Sequence, residues 1–196
     1  FIKKAGTVIL LSTIFIWFTS SFGFVDGHFG MVEDLSDGIL ASIGQAIAWI
    51  FAPLGWGNWQ AAVAAITGLV AKENVVGTFG ILYGFAEVAE DGSEIWGTLA
   101  QSFTAVSAYS FLVFNLLCAP CFAAMGAIRR EMNSAKWTFF AIGYMCALAY
   151  CLAFLIYQMG AWLYAEASFG IGQGLAVLLL LGLIYLVVKK PSASSK

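Results

Sequence analysis

From Ala5 to Val25 the chain runs 21 residues without a charged side chain, and uncharged runs recur at Ile95 to Ile128, Trp137 to Gly160 and Phe169 to Val188. A helix rises about 1.5 Å per residue, so about 20 apolar residues cross the roughly 30 Å hydrocarbon core of a bilayer. Three of these runs have that length directly, and a fourth span is expected within Ile95 to Ile128. Composition agrees: with 61% hydrophobic and 10% charged residues, there is too little polar material to clothe a soluble globule of 196 residues. The fold class expected is an all-α membrane protein with about four full transmembrane helices. The net charge of −2 offers no basic surface for phosphates, so nucleic acid is not an expected partner.

Charge placement sets the expected orientation. Lys3 and Lys4 precede the first run, Arg129, Arg130 and Lys136 separate the second from the third, and Lys189 and Lys190 follow the last. Cytoplasmic flanks are enriched in such residues, so both termini are expected in the cytoplasm. Asp26, Glu33, Asp34, Asp37, Glu87, Glu90, Asp91, Glu94 and Glu166, together with His28, fall in the opposite loops and are assigned to the periplasm. Ala5 to Val25 is read as a membrane helix and not a signal peptide, because no A-x-A cleavage pattern follows it.

The orientation requires residues 38 to 94 to return to the side they left. Two apolar arms of 13 residues, Trp59 to Ala71 and Asn74 to Ala86, flank Lys72 and Glu73. Each arm is about 20 Å long as helix, short of the hydrocarbon thickness. A re-entrant helical hairpin with its tip at Lys72-Glu73 is therefore expected. Before it, Ile39, Ile43, Ile47 and Ile50 recur at helical spacing, and Pro53, Gly55 and Gly57 end that helix beside Trp56 and Trp59. Such a helix suits the periplasmic interface or a partial dip into the membrane.

Lys72 and Glu73 are ionisable residues in apolar surroundings, where an isolated charge costs several kcal/mol. They form either a gate in an ion path or a tip that reaches headgroups and water. In Cys118-Ala119-Pro120-Cys121, Pro120 lacks the N–H that would meet the Leu116 carbonyl, so the helix is expected to kink or unwind. Cysteines three apart share a face of a continuous helix, and with freed carbonyls and Asn115 they offer donors to a soft or borderline cation. The competing reading is an ordinary Pro kink with inert, buried thiols. Cys146 and Cys151 diverge by about 140° on a helix and read as packing residues. The sequence has no G-x-x-x-x-G-K-[ST], H-E-x-x-H or G-x-S-x-G motif, so an enzyme is not expected and any nucleotide hydrolysis belongs to another domain or chain.

The stretches PLGWGNWQAAVAAITGLVAKENVVGTFGILYG and FLVFNLLCAPCFAAMGAIRREM, with FIKKAGTVILLSTIFIWF at the start, resemble the second Gate region of the bacterial ferrous iron transport protein B (FeoB) family. The most specific parts are GLVAKENVVG from Gly68 to Gly77 and NLLCAPC from Asn115 to Cys121. The resemblance implies a Gate-type transmembrane domain over residues 1–190, followed by a polar tail at 191–196. It also implies a fragment of a larger inner-membrane transporter, whose G domain, guanine-nucleotide-dissociation-inhibitor-like domain and first Gate region lie outside these residues. Fe(II) would be the substrate, GTP would bind the G domain, and this chain would hold no cofactor of its own. Small Feo accessory proteins and further copies of the chain are the implied partners. The family's pore-lining cysteines map onto Cys118 and Cys121, beside Asn115, with Lys72, Glu73 and Pro120 as gate elements. Asn74 departs from the apolar residue common at its place in the motif. Two other readings compete with this one: a nucleoside-type Gate transporter, and an oligomerisation scaffold whose ion path lies elsewhere.

Overall fold

The computed structural model describes residues 2–25, 28–32, 37–70, 72, 75–85, 95–164 and 170–189. The chain begins with helix α1 (Ile2–Ser21), which passes into an antiparallel hairpin of β1 (Phe22–Val25) and β2 (His28–Met31). Phe22 pairs with Met31 and Val25 with His28, and Gly23 makes a further bridge to Gly38. The first helix therefore stops four residues before the uncharged run does. Gly23 and the Asp26-Gly27 pair in the sequence favour a hairpin over continued helix, a local signal that charge counting passes over.

Two described helices, α8 (Ala135–Tyr164) and α9 (Ile171–Val188), are long and apolar enough to cross a membrane unaided. Two bent pairs each add a crossing if the pair acts as one span. In the first, α2 (Ile39–Phe51) and a 3-10 turn (Ala52–Leu54) meet α3 (Trp59–Val70) at 91°. In the second, α5 (Trp96–Ser102) meets α6 (Ala105–Leu117) at 102°. The expected hairpin is present as α3 and α4 (Val75–Leu82), packed on each other, with the second arm 8 residues long where 13 were expected. Its end is marked by Gly84, whose positive φ of 79° suits glycine.

The uncharged run Ile95 to Ile128 does not form one continuous helix. It breaks first at Phe103-Thr104 and again after Leu117, before α7 (Phe122–Met132). At the first break Thr104 caps the new helix: its Oγ1 accepts from the Ser107 N–H (3.2 Å), and Ser107 Oγ accepts from the Thr104 N–H (2.8 Å). This reciprocal pair satisfies two of the donors that a helix start leaves open. It fixes the corner between α5 and α6.

The core forms where these half-length helices meet. Trp56, 1% exposed, stacks on Phe51 (4.5 Å) and stands edge-on to Phe111 (5.1 Å); Phe111 in turn meets Phe79 and Phe103, both at 5.5 Å. Gly55 delivers Trp56 to this position. Its φ of 89° is left-handed, and a Cβ there would collide with the Tyr157 ring. Trp56 Nε1 donates to Ser110 Oγ (3.3 Å), and Ser110 Oγ donates to the Ala153 carbonyl (3.0 Å). One hydroxyl thus joins the loop after α2, helix α6 and helix α8. The fully buried Ala149 and Ala153 give α8 a thin flank, against which α6 packs closely.

Candidate functional site

Pro120 explains the second break. Helix α6 ends at Leu117, residues 118 to 121 leave helical geometry, and α7 starts at Phe122. Cys118 and Cys121 both adopt extended backbone, with ψ of 172° and 159°. A helix end leaves its last carbonyls without helical partners. The Cys118 N–H still closes the final turn on the Phe114 carbonyl (2.9 Å). The carbonyls of Asn115, Leu116 and Cys118 are served by side chains.

Lys72 is the main such side chain. From the tip of the α3–α4 hairpin its Nζ donates to the Leu116 carbonyl (3.2 Å) and to the Cys118 carbonyl (3.4 Å). Leu116 is the residue whose oxygen a backbone donor at position 120 would have met in an unbroken helix, and proline has no such donor. A cation at a helix C-terminus also meets the negative end of the helix dipole. The hairpin tip therefore meets the carbonyl that Pro120 leaves open at Leu116, 44 residues further along.

The remaining groups sit around this junction. Cys118, 3% exposed, donates its thiol to the carbonyls of Asn115 (3.7 Å) and Ala119 (3.8 Å). Asn115 Nδ2 donates to the Phe111 carbonyl (2.9 Å), while its buried Oδ1 has no hydrogen-bond partner among the described residues. That oxygen lies against Gly68 of α3, where an added Cβ would stand 2.8 Å from it. Thr67 Oγ1 donates to the Ala64 carbonyl (3.1 Å), and across the hairpin arms it is hydrogen-bonded to Thr78 Oγ1 (3.3 Å). Asn115, Cys118 and Lys72 thus meet at one place, built from α3, α4 and the end of α6.

Not every expected site residue joins them in the expected way. The shared helical face assigned to Cys118 and Cys121 does not exist, because Pro120 takes both residues out of the helix; Cys118 is buried and Cys121 half-buried. Glu73 lies outside the described residues. Cys146 and Cys151 are half-buried on α8, and all four cysteines are free thiols. Among the described residues, no three His, Cys, Asp or Glu side chains form a metal-binding group. The donors at the junction are instead mostly backbone carbonyls, an amide oxygen and one thiol. Sequence reasoning placed Lys72 at a hairpin tip but did not pair it with Leu116 and Cys118. The signal was the carbonyl that Pro120 leaves open, which calls for a donor from elsewhere.

Residues 2–135 match the family described as Gate: Nucleoside recognition. The chain is 36% identical over 165 residues to the Fe(2+) transporter FeoB of Methanocaldococcus jannaschii, an alignment covering 82% of this chain and 24% of that protein. It is 35% identical over 160 residues to the Fe(2+) transporter FeoB of Staphylococcus aureus strain COL, covering 82% and 23%. It is 32% identical over 211 residues to the Fe(2+) transporter FeoB of Escherichia coli K12, covering 83% and 27%. The chain thus spans about a quarter of the length of these relatives. No solved structure matches it.

Proposed function

The chain belongs to the Gate family, and from that membership we propose that it is the membrane permeation module of a ferrous iron transporter of the inner membrane. The observation that carries this reading is the junction at the α6–α7 break, where carbonyls, the Cys118 thiol and the Asn115 oxygen converge beneath the hairpin tip. The relatives named as Fe(2+) transporters extend over about four-fifths of the chain and support the choice of cargo.

Ferrous iron is a borderline-soft divalent ion, and a mixed set of sulfur, amide and carbonyl donors suits it. Backbone carbonyls can replace part of an ion's water shell, and a site of few, neutral donors holds it weakly enough for release. In this reading Cys118, Asn115 and the opened carbonyls make a transient stop on the path, Cys121 flanks it half-buried, and Pro120 keeps it open. Lys72, with Glu73 beside it in sequence, forms the gate. GTP hydrolysis takes place on a G domain elsewhere in the transporter, and this module has no catalytic role. The Lys/Arg flanks support a cytoplasmic side for both ends of the chain, and in this reading small Feo proteins and further copies of the chain are its partners.

The test is uptake of ferrous iron into vesicles by the intact transporter with Cys118→Ser and Cys121→Ser combined. Uptake is expected to fall by about tenfold or more, in line with the loss caused by removing groups that support a metal site, while the protein stays folded. Unchanged uptake removes the cysteines from the path. The family's description, nucleoside recognition, favours a second reading in which an organic solute occupies the junction. Nucleosides that compete with ferrous iron for uptake would favour that reading, and no competition is expected.

A further inference from the structure

The geometry points to Lys72 as a tethered cation: its ammonium occupies the carbonyl oxygens opened by the broken helix, and the junction admits a mobile cation only when the hairpin tip withdraws. The inference rests on reading the α6–α7 break as the ion path, and it adds how that path is kept closed.

Three observations carry it. The first is occupancy. Leu116, in the last turn of α6, and Cys118, just past its end, have carbonyls without helical donors, and both already accept from Nζ, at 3.2 and 3.4 Å. A permeating ion that used these oxygens would have to take the place of the ammonium, because two positive charges do not share them at such distances. The second is charge. The C-terminal end of a helix carries roughly half a negative elementary charge, so α6 presents a fixed attraction for any cation, and Lys72 neutralises it in the present arrangement.

The third is delivery. The arms of the hairpin are tied by the Thr67–Thr78 bond, and α3 is brought against α6 by the absence of a side chain at Gly68, where Asn115 Oδ1 fits. Lys72 thus reaches the break because the backbone carries it there. Its side chain does not have to search.

Competition with a tethered monovalent charge has a chemical consequence. A sodium or potassium ion that displaces the ammonium replaces one unit charge with another and gives up its own hydration. A divalent ion gives up more hydration still, but it brings twice the charge to the same oxygens, and a borderline-soft one also gains from the Cys118 sulfur. Lys72 therefore works as a selectivity device, holding back monovalent ions while yielding to a divalent one.

The experiment compares the intact transporter as wild type, K72M, K72Q and K72R, reconstituted in vesicles, by passive sodium and potassium flux and by ferrous uptake. K72M and K72Q are expected to leak monovalent cations several-fold faster than wild type, and K72R to stay at the wild-type level. Folded neutral variants that leak no more than wild type overturn the proposal. A measurement on the wild type, in vesicles shown to take up ferrous iron, does not depend on the variants folding: labelling of Lys72 by an amine-reactive reagent, read by mass spectrometry. Labelling is expected to rise when ferrous iron is added, and labelling that stays constant at saturating iron overturns displacement. If the wild type carries no ferrous iron, the function proposed above fails, while the monovalent leak still decides whether Lys72 occludes the junction.

Discussion

Helices α8 and α9 and the half-length helices α2 to α7 come from the same apolar sequence, yet they solve the membrane's backbone problem in opposite ways. In lipid each unpaired N–H or C=O costs several kcal/mol, and an unbroken helix pairs nearly all of them within itself. Helices α8 and α9 do so over 30 and 18 residues. They keep large apolar side chains outside, such as Leu178 at 67% and Val187 at 85% exposure. The half-length helices end inside the fold, and their ends need partners of their own. At α6 these are the Thr104–Ser107 cap at its start and Lys72, brought by the hairpin, at its end. Continuous helices make a wall, and broken ones expose groups that can bind.

That contrast can be broken by substitution, beginning with the largest expected effect. Trp56→Ala removes the ring on which Phe51, Phe111 and Phe114 pack, and loss of a buried aromatic costs about 3–5 kcal/mol. Thermal unfolding in detergent, followed by loss of the monodisperse species, should show it as the most damaging change. Gly68→Ala puts a methyl group 2.8 Å from Asn115 Oδ1 and 3.0 Å from Val75 Cγ2. Overpacking of this kind costs about 1–3 kcal/mol, and it should also weaken the Lys72 contact, seen as faster amine labelling of Lys72.

Ser110→Ala leaves the Trp56 N–H without its acceptor. The loss is about 1 kcal/mol, since hydrogen bonds within membranes measure close to those in water, and a double-mutant cycle with Trp56→Phe should recover most of it as coupling. Leu178→Ala, on the exposed face of α9, should change stability by less than about 0.5 kcal/mol. A loss as large as that at Gly68 would mean that α9 is covered by protein, and the wall would have to be redrawn as an interface.

How far the sequence could be read follows the same division. The long helices were legible because a run without charge and the length of a span are local properties. The hairpin was legible too, because Lys72-Glu73 divides two arms that are each too short to cross. The corner at Thr104 was not, since an uncharged run gives no hint of a bend, although Thr104-x-x-Ser107 spells a cap. The β-hairpin after Ser21 was missed in the same way: a run of apolar residues does not choose between helix and strand, although Asp26-Gly27 spells a turn. Pro120 announced a break, but the i, i+3 argument for Cys118 and Cys121 assumed the helix that Pro120 ends. The Lys72 bonds join positions 44 and 46 residues apart, and no local pattern encodes such a pairing.

The Thr67–Thr78 bond gives the hairpin a mechanical character. Two short arms latched to each other move as one lever, and Val75, Val76 and Phe79 on the second arm also line an apolar groove of about 380 Å³ against Leu99, Phe103 and Phe111. A stroke that lifts Lys72 from the α6 carbonyls therefore drags the groove wall with it. The groove is lined almost wholly by apolar side chains. The stroke therefore has to slide packed apolar surface as well as part the two bonds that Lys72 makes.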